Sequence, residues 1–145
     1  MCQWKRPKEI IDKAQFIIDG LSTIDVDQGC LGDCWFLSPV SAWINFSKRI
    51  PDGDKIINQV LPTGQSFDEK DYSGKQKFEK VKKLNFTIFI IGKFFFRFWV
   101  KGKFQEVLID DRLLVDHKKR LVFSSNINQK NEFWFPLFEK AYAKY

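Results

Sequence analysis

The stretch DQGCLGDCWFLSPVSAW, residues 27 to 43, places a cysteine where a glycine-broken turn gives way to an apolar run. From Cys34 onward, Trp35, Phe36, Leu37, Val40, Ala42, Trp43, Ile44 and Phe46 leave hardly any polar face. That is the pattern of a helix buried in a core. Pro39 falls just beyond the first turn of such a helix, where it costs one backbone hydrogen bond and bends the axis.

A thiol attacks carbonyl carbon as its thiolate, and the amino end of a helix favours that form through unpaired N–H groups and the helix dipole. Cys34 stands at such an end. Acyl transfer also needs donors aimed at the oxyanion, which a side-chain amide and a backbone N–H can supply together. Gln28 has that chemistry six residues earlier, and Gly29 and Gly32 let the intervening loop fold back so that amide and thiol converge. A single cysteine before an apolar helix is commonly a buried small hydrophobe; the order Gln, Gly, Gly, Asp, Cys, Trp points instead to a nucleophile.

The 145 residues are 44% hydrophobic and 17% aromatic, enough for one ordinary globular core and too apolar for extended disorder. Sixteen Phe and five Trp predict an aromatic interior. The formal charge is +6, but Lys75 to Gly92 (KQKFEKVKKLNFTIFIIG) holds five Lys and one Glu, hence +4 of it. No groove-reading motif accompanies these lysines, so nucleic acid is not expected as a partner. Cys2, Cys30 and Cys34 are odd in number and follow no apolar signal segment, which favours a reducing intracellular compartment. Zinc is not expected, because the cysteines lack a second ligand pair and the single histidine, His117, is distant in sequence.

Residues 1–27 read as an irregular segment that lays Phe16 to Ile18 on a body formed later. RIPDGDK (49–55) is a turn, KIINQVLP (55–62) a short helix ended by Pro62, and 63–74 a polar loop. LNFTIFII (84–91), FFFRFWV (94–100) and FQEVLIDD (104–111) are strand candidates, with hairpin turns expected at the Gly-Lys pairs 92–93 and 102–103. HKKRLVFS (117–124) adds a further strand candidate. NEFWFPLFEKAYAKY (131–145) reads as a helix with Phe133, Trp134, Leu137, Phe138 and Ala141 on one face, interrupted by Pro136. A membrane span over 84–100 is disfavoured by Asn85, Lys93 and Arg97.

The run DQGCLGDCWFL resembles the nucleophile region of the calpain family of calcium-dependent cysteine proteases. WKRPKEI, FIIDG, LPTGQSF, FRFWVKGKFQEVLIDDRL and EFWFPLFEKAYAKY resemble successive segments of the first subdomain of the calpain protease core, in the same order. The resemblance implies an α+β, papain-like fold. Residues 1–145 would be part of the catalytic domain, its first, helical and nucleophile-bearing subdomain. It implies Cys34 as nucleophile with Trp35 packed behind it, Gln28 in the oxyanion hole, and calcium held by the backbone carbonyls of Ile18 and Gly20 and the carboxylates of Asp25 and Glu132. Hard oxygen donors of this kind suit Ca²⁺; read from the residues alone, Asp25 and Glu132 would be solvated surface charges. The implied function is calcium-dependent intracellular limited proteolysis of protein substrates, with further calpain domains or a small calcium-binding subunit as partners.

Such proteases need a His as general base and an Asn to orient it. In the family both lie beyond the EKAYAK helix, so residues 1–145 are expected to be a fragment inactive alone, and His117 is read as a surface residue in a variable turn. Residues 75–92 are an atypical basic insertion, either a lineage-specific loop or a short intron translated in frame. Removing them leaves DYSGKFFFRFW, an uninterrupted family-like sequence. A first subdomain on its own would leave apolar interface open to water. Two other functions stay open. One is a truncated, non-catalytic calcium-binding or interaction module; the other is a basic module for nucleic acid or anionic lipid, resting only on Lys75 to Lys83.

Overall fold

The structure, a computed structural model, describes residues 1–21, 26, 27, 29, 32, 34–67, 92–126 and 128–145. Gln28, Asp25 and Cys30 therefore lie outside the described residues, as do the strand expected at 84–91 and all of the basic insertion except Gly92.

The amino-terminal part is more ordered than its composition suggests. Strand β1 (Gln3–Lys5) leads into the one-turn helix α1 (Pro7–Ile10). Pro7 sits at the first helical position, where its missing N–H costs nothing, and the Arg6 N–H donates to the Glu9 carboxylate at 2.7 Å. Strand β2 (Val26–Asp27) precedes α2 (Cys34–Ser47) and α3 (Gly53–Val60). The remaining elements are β3 (Lys93–Val100), β4 (Lys103–Asp110), β5 (Leu113–Val115), β6 (Ser125–Asn126) and α4 (Trp134–Lys144). The strands form three separate antiparallel pairs, β1 with β5, β2 with β6 and β3 with β4, so the architecture is α+β.

The β3–β4 hairpin turns through Lys101 and Gly102, both at positive φ (49° and 79°), the geometry of a two-residue primed turn that matches strand twist. The expected turn at 102–103 thus lies one residue earlier. Gly92 does not make a hairpin turn to a described strand. It closes the open end of the hairpin, where the Asp111 N–H donates to its carbonyl at 2.8 Å. At φ 77°, a Cβ on Gly92 would collide with the carboxylate of Asp111 and the guanidinium of Arg6. Strict alternation along β3 buries Phe94 and Phe96 on the inner face, where Val107 and Ile109 of β4 join them.

Two proline expectations resolve differently. Pro39 is accommodated inside α2, which runs on to Ser47. Pro136 does not interrupt α4, because it is the third residue of that helix, where the N–H has no intrahelical acceptor. The strand expected at 117–124 is not formed. Residues 117–119 are a turn, Leu121 makes a single bridge to Val115, and the strand is Leu113–Val115.

Helix α2 is not buried all round. Phe36, Val40, Ile44 and Ser47 form one buried stripe, whereas Trp35 and Phe46 are 61% and 59% exposed. The stripe packs on α4, whose Phe133 to Glu139 are all buried, and on the inner face of the hairpin. Polar side chains then stitch α4 in place. The Lys140 ammonium donates to the Asp110 carboxylate and to the Arg112 carbonyl at 2.6 Å, and the Glu139 carboxylate accepts the Ser124 N–H at 3.0 Å and its hydroxyl. Among the described residues no helix is long and apolar enough to cross a membrane.

The amino terminus is pinned to the hairpin by an ion pair from Arg6 to Asp111, a carboxylate with no solvent exposure. Removing the cation from a buried pair costs far more than a surface pair is worth. Arg6→Ala is expected to destabilise the fold by about 3 kcal/mol, measured by denaturant unfolding.

Candidate functional site

The first residue of α2 is Cys34, and its thiol is exposed rather than buried as a small hydrophobe. The helix holds it there through Phe36, whose ring stands 5.6 Å from that of Phe138 and 4.4 Å from that of Tyr142, both on α4. Trp35, expected behind the thiol, rests edge-on against Tyr142 with 5.6 Å between centroids. In the loop before the helix only one of the two glycines is structurally required. Gly29 has φ 67° and lies so close to the Phe123 carbonyl that a Cβ would overlap it, whereas Gly32 faces open space.

Pairing of β2 with β6 sets Val26 opposite Asn126 and Asp27 opposite Ser125, which brings the chain just before Gln28 against the approach to α4. Glu132 lies on that approach. The extended segment before it in space is Gln15 to Ile18. The Gln15 N–H donates to the Asn131 carbonyl at 2.7 Å, Phe133 donates back to Gln15 at 3.0 Å, and Trp134 donates to the Phe16 carbonyl at 2.8 Å.

Under this strap the Glu132 carboxylate is 3% exposed, which overturns its reading as a solvated charge. One oxygen accepts the Ile18 N–H at 2.7 Å and the other the Asn126 amide at 2.6 Å. Asn126 was not singled out by its sequence context. Its own oxygen accepts the N–H groups of Asn128 and Gln129, so an Asx turn is the local signal, but the contact with Glu132 has none. Ile18 and Glu132, two of the four expected calcium positions, are thus brought together. Gly20 follows in a left-handed turn with Asp19 (φ 87° and 52°). A buried carboxylate beside the backbone of Ile18 supplies hard oxygen donors, a set that fits a hard cation. Among the described residues no three His, Cys, Asp or Glu side chains gather.

A cleft of about 750 Å³ opens beside Glu132, lined also by Asn126, Asp27, Ile10 and Arg120. Cys34 does not line it. His117 is exposed, in a turn organised by its neighbour. Asp116 accepts the Lys118 and Arg120 N–H groups at 2.8 and 2.9 Å and pairs with the Arg120 guanidinium at 2.7 Å.

The model of the calpain family cysteine proteases matches residues 1–145. The chain is 38% identical over 141 residues to calpain-8 of Rattus norvegicus, covering 97% of this chain and 16% of that protein. It is 37% identical over 142 residues to calpain-A of Drosophila melanogaster, covering 98% of this chain and 14% of that one. The same identity and coverage of this chain hold for the calpain-1 catalytic subunit of Rattus norvegicus, of which 16% is matched. The chain therefore spans about one sixth of the length of these relatives.

The Arg120 N–H, against some opposing burial, then the guanidinium and the Lys118 N–H, hold the Asp116 carboxyl down to about 2. A depressed carboxyl contributes order that is present above its unfolded value near 3.8 and is lost as pH falls through the folded value. NMR shifts of Lys118 and Arg120 amides are expected to change as pH falls from about 4 toward 2, with no transition in that range in Asp116→Asn.

Proposed function

Because this chain belongs to the calpain family of cysteine proteases, we propose that the whole protein is a calcium-dependent intracellular cysteine endopeptidase. It would perform limited proteolysis of protein substrates. Residues 1–145 are the first subdomain of its papain-like catalytic domain, with 75–92 as an insertion. The single observation that carries this reading is the exposed Cys34 thiol at the first residue of a 14-residue helix.

In the proposed reaction the Cys34 thiolate adds to the scissile carbonyl carbon. The electron pair of the C=O bond moves to oxygen, and the oxyanion is held by the Gln28 amide and a backbone N–H at the amino end of α2. Collapse breaks the C–N bond, and the amine leaves with the proton that the general base took from the thiol. Water then cleaves the thioester and regenerates the thiol. The resemblance assigns the base and its orienting Asn to a part of the protein beyond residue 145, which would pack against this one. Trp35 and Phe46, exposed on α2, are apolar surface suited to such packing.

Calcium would be held by Glu132, Asp25 and the carbonyls of Ile18 and Gly20, and would supply positive charge that binds the amino-terminal loop to the start of α4. This chain's own part is to preset that joint. The Ile18 and Asn126 donors fix the Glu132 carboxylate, and the backbone bonds of Gln15 and Phe16 hold the strap beside it.

The test is proteolysis by the full-length protein. Cys34→Ala is expected to lower cleavage of a denatured protein substrate roughly 1,000-fold or more, and chelation of calcium to do the same reversibly. Cleavage that survives Cys34→Ala would contradict the reading. Calcium binding without any cleavage would favour the interaction module.

A further inference from the structure

The aromatic residues of α4 do not all serve the core. Phe135 and Phe138 are buried at 3% exposure, but Tyr142, one turn after Phe138, is half-buried at the edge. Among the described residues its ring meets three others. Phe36 stacks on it at 4.4 Å with planes 30° apart, Trp35 meets it edge-on at 5.6 Å, and Phe98 of β3 meets it edge-on at 5.5 Å. Two of these three belong to the first turn of α2, the turn that begins with Cys34.

The two neighbours depend on Tyr142 unequally. Phe36 is 6% exposed and also packs on Phe135 at 6.4 Å and Phe138 at 5.6 Å, so it stays anchored without Tyr142. Trp35 is 61% exposed, and apart from its chain neighbour Phe36, Tyr142 is its ring contact among the described residues. Loss of the Tyr142 ring therefore leaves the helix docked by its buried stripe, Phe36 included, and frees Trp35, the residue next to Cys34, from its ring contact on α4. We propose that Tyr142 is a positioning residue for Cys34, its ring holding the start of α2 through Trp35.

The proposal deepens the assignment of Cys34 as nucleophile and rests on it. Its physical basis is that a helix end fixes an attacking atom only as well as the turn itself is fixed. The first turn of a helix lacks the intrahelical N–H bonds that stiffen later turns. Misplacing a reacting group by about 1 Å can cost on the order of 100-fold in rate. Side-chain packing supplies the stiffness that those bonds do not.

The experiment is the rate of alkylation of Cys34 by iodoacetamide at pH 7 on the full chain, followed by site-resolved mass spectrometry because Cys2 is also exposed. Tyr142→Ala is expected to slow alkylation by about 5-fold, the scale of one aromatic pair. Tyr142→Phe, which keeps the ring, is expected to match the wild type. If Tyr142→Ala does not fold, Tyr142→Leu keeps apolar volume without the ring and carries the same expectation. Trp35→Ala is expected to give the same loss, with no further loss in the double variant. A wild-type rate in Tyr142→Ala, or an equal loss in Tyr142→Phe, would overturn the proposal. Alkylation does not require proteolysis. If Cys34→Ala abolishes cleavage while Tyr142→Ala leaves alkylation unchanged, the positioning role alone fails; if cleavage survives Cys34→Ala, the nucleophile assignment fails.

Discussion

The buried carboxylate of Glu132 is the constraint on which the rest of the arrangement leans. An ionised carboxylate taken out of water costs several kcal/mol unless charged or polar partners replace its hydration. Here the Ile18 N–H meets one oxygen and the Asn126 amide the other. Those two donors lie 114 and 6 residues before Glu132 in the sequence, and satisfying them fixes the amino-terminal strap and β6 to the same point. The backbone bonds of Gln15 and Phe16 to residues 131, 133 and 134 extend that junction into the start of α4.

Helix α4 then carries the constraint across the molecule. Its first two turns are buried entirely, Glu139 fixes Ser124, Lys140 fixes the end of β4, and Phe138 and Tyr142 meet the first turn of α2 through Phe36. Glu132 lies just before this helix and Tyr142 lies in its last turns, so one rigid element of about 1.5 Å per residue separates the buried carboxylate from the cysteine's packing. Packed rings and a helix thus lie between the amino-terminal strap and the first turn of α2.

Much of this was legible in sequence where local pattern and burial agree. The β-branched and aromatic runs FFFRFWV and FQEVLIDD with a Gly-Lys pair between them identified the β3–β4 hairpin, and the apolar run after Cys34 located α2. The failures have physical reasons. Pro136 looked disruptive because its position within the helix depends on where the helix starts, and only the docking of Phe133 and Trp134 sets that start. HKKRLVFS carried a strand-like end, but the capture of the Lys118 and Arg120 N–H groups and the Arg120 guanidinium by Asp116 favours a turn over a ladder. The burial of Glu132 rests on Ile18, 114 residues away, and no local pattern encodes such a contact. Gln65 is a similar case, its amide both donating to and accepting from the backbone of Phe95 at 3.0 and 2.8 Å, as a strand partner would.

Glu132 locks the amino-terminal strap onto the start of the helix that packs against the first turn of α2. Amide hydrogen exchange compared between the wild type and Glu132→Ala tests it most directly. Loss of hydrogen bonds to a charged group predicts exchange at Ile18 faster by roughly tenfold or more, with Phe133 and Trp134 rising alongside it. Protection at Ile18 that stays at the wild-type level, with Phe133 and Trp134 unchanged, would contradict it.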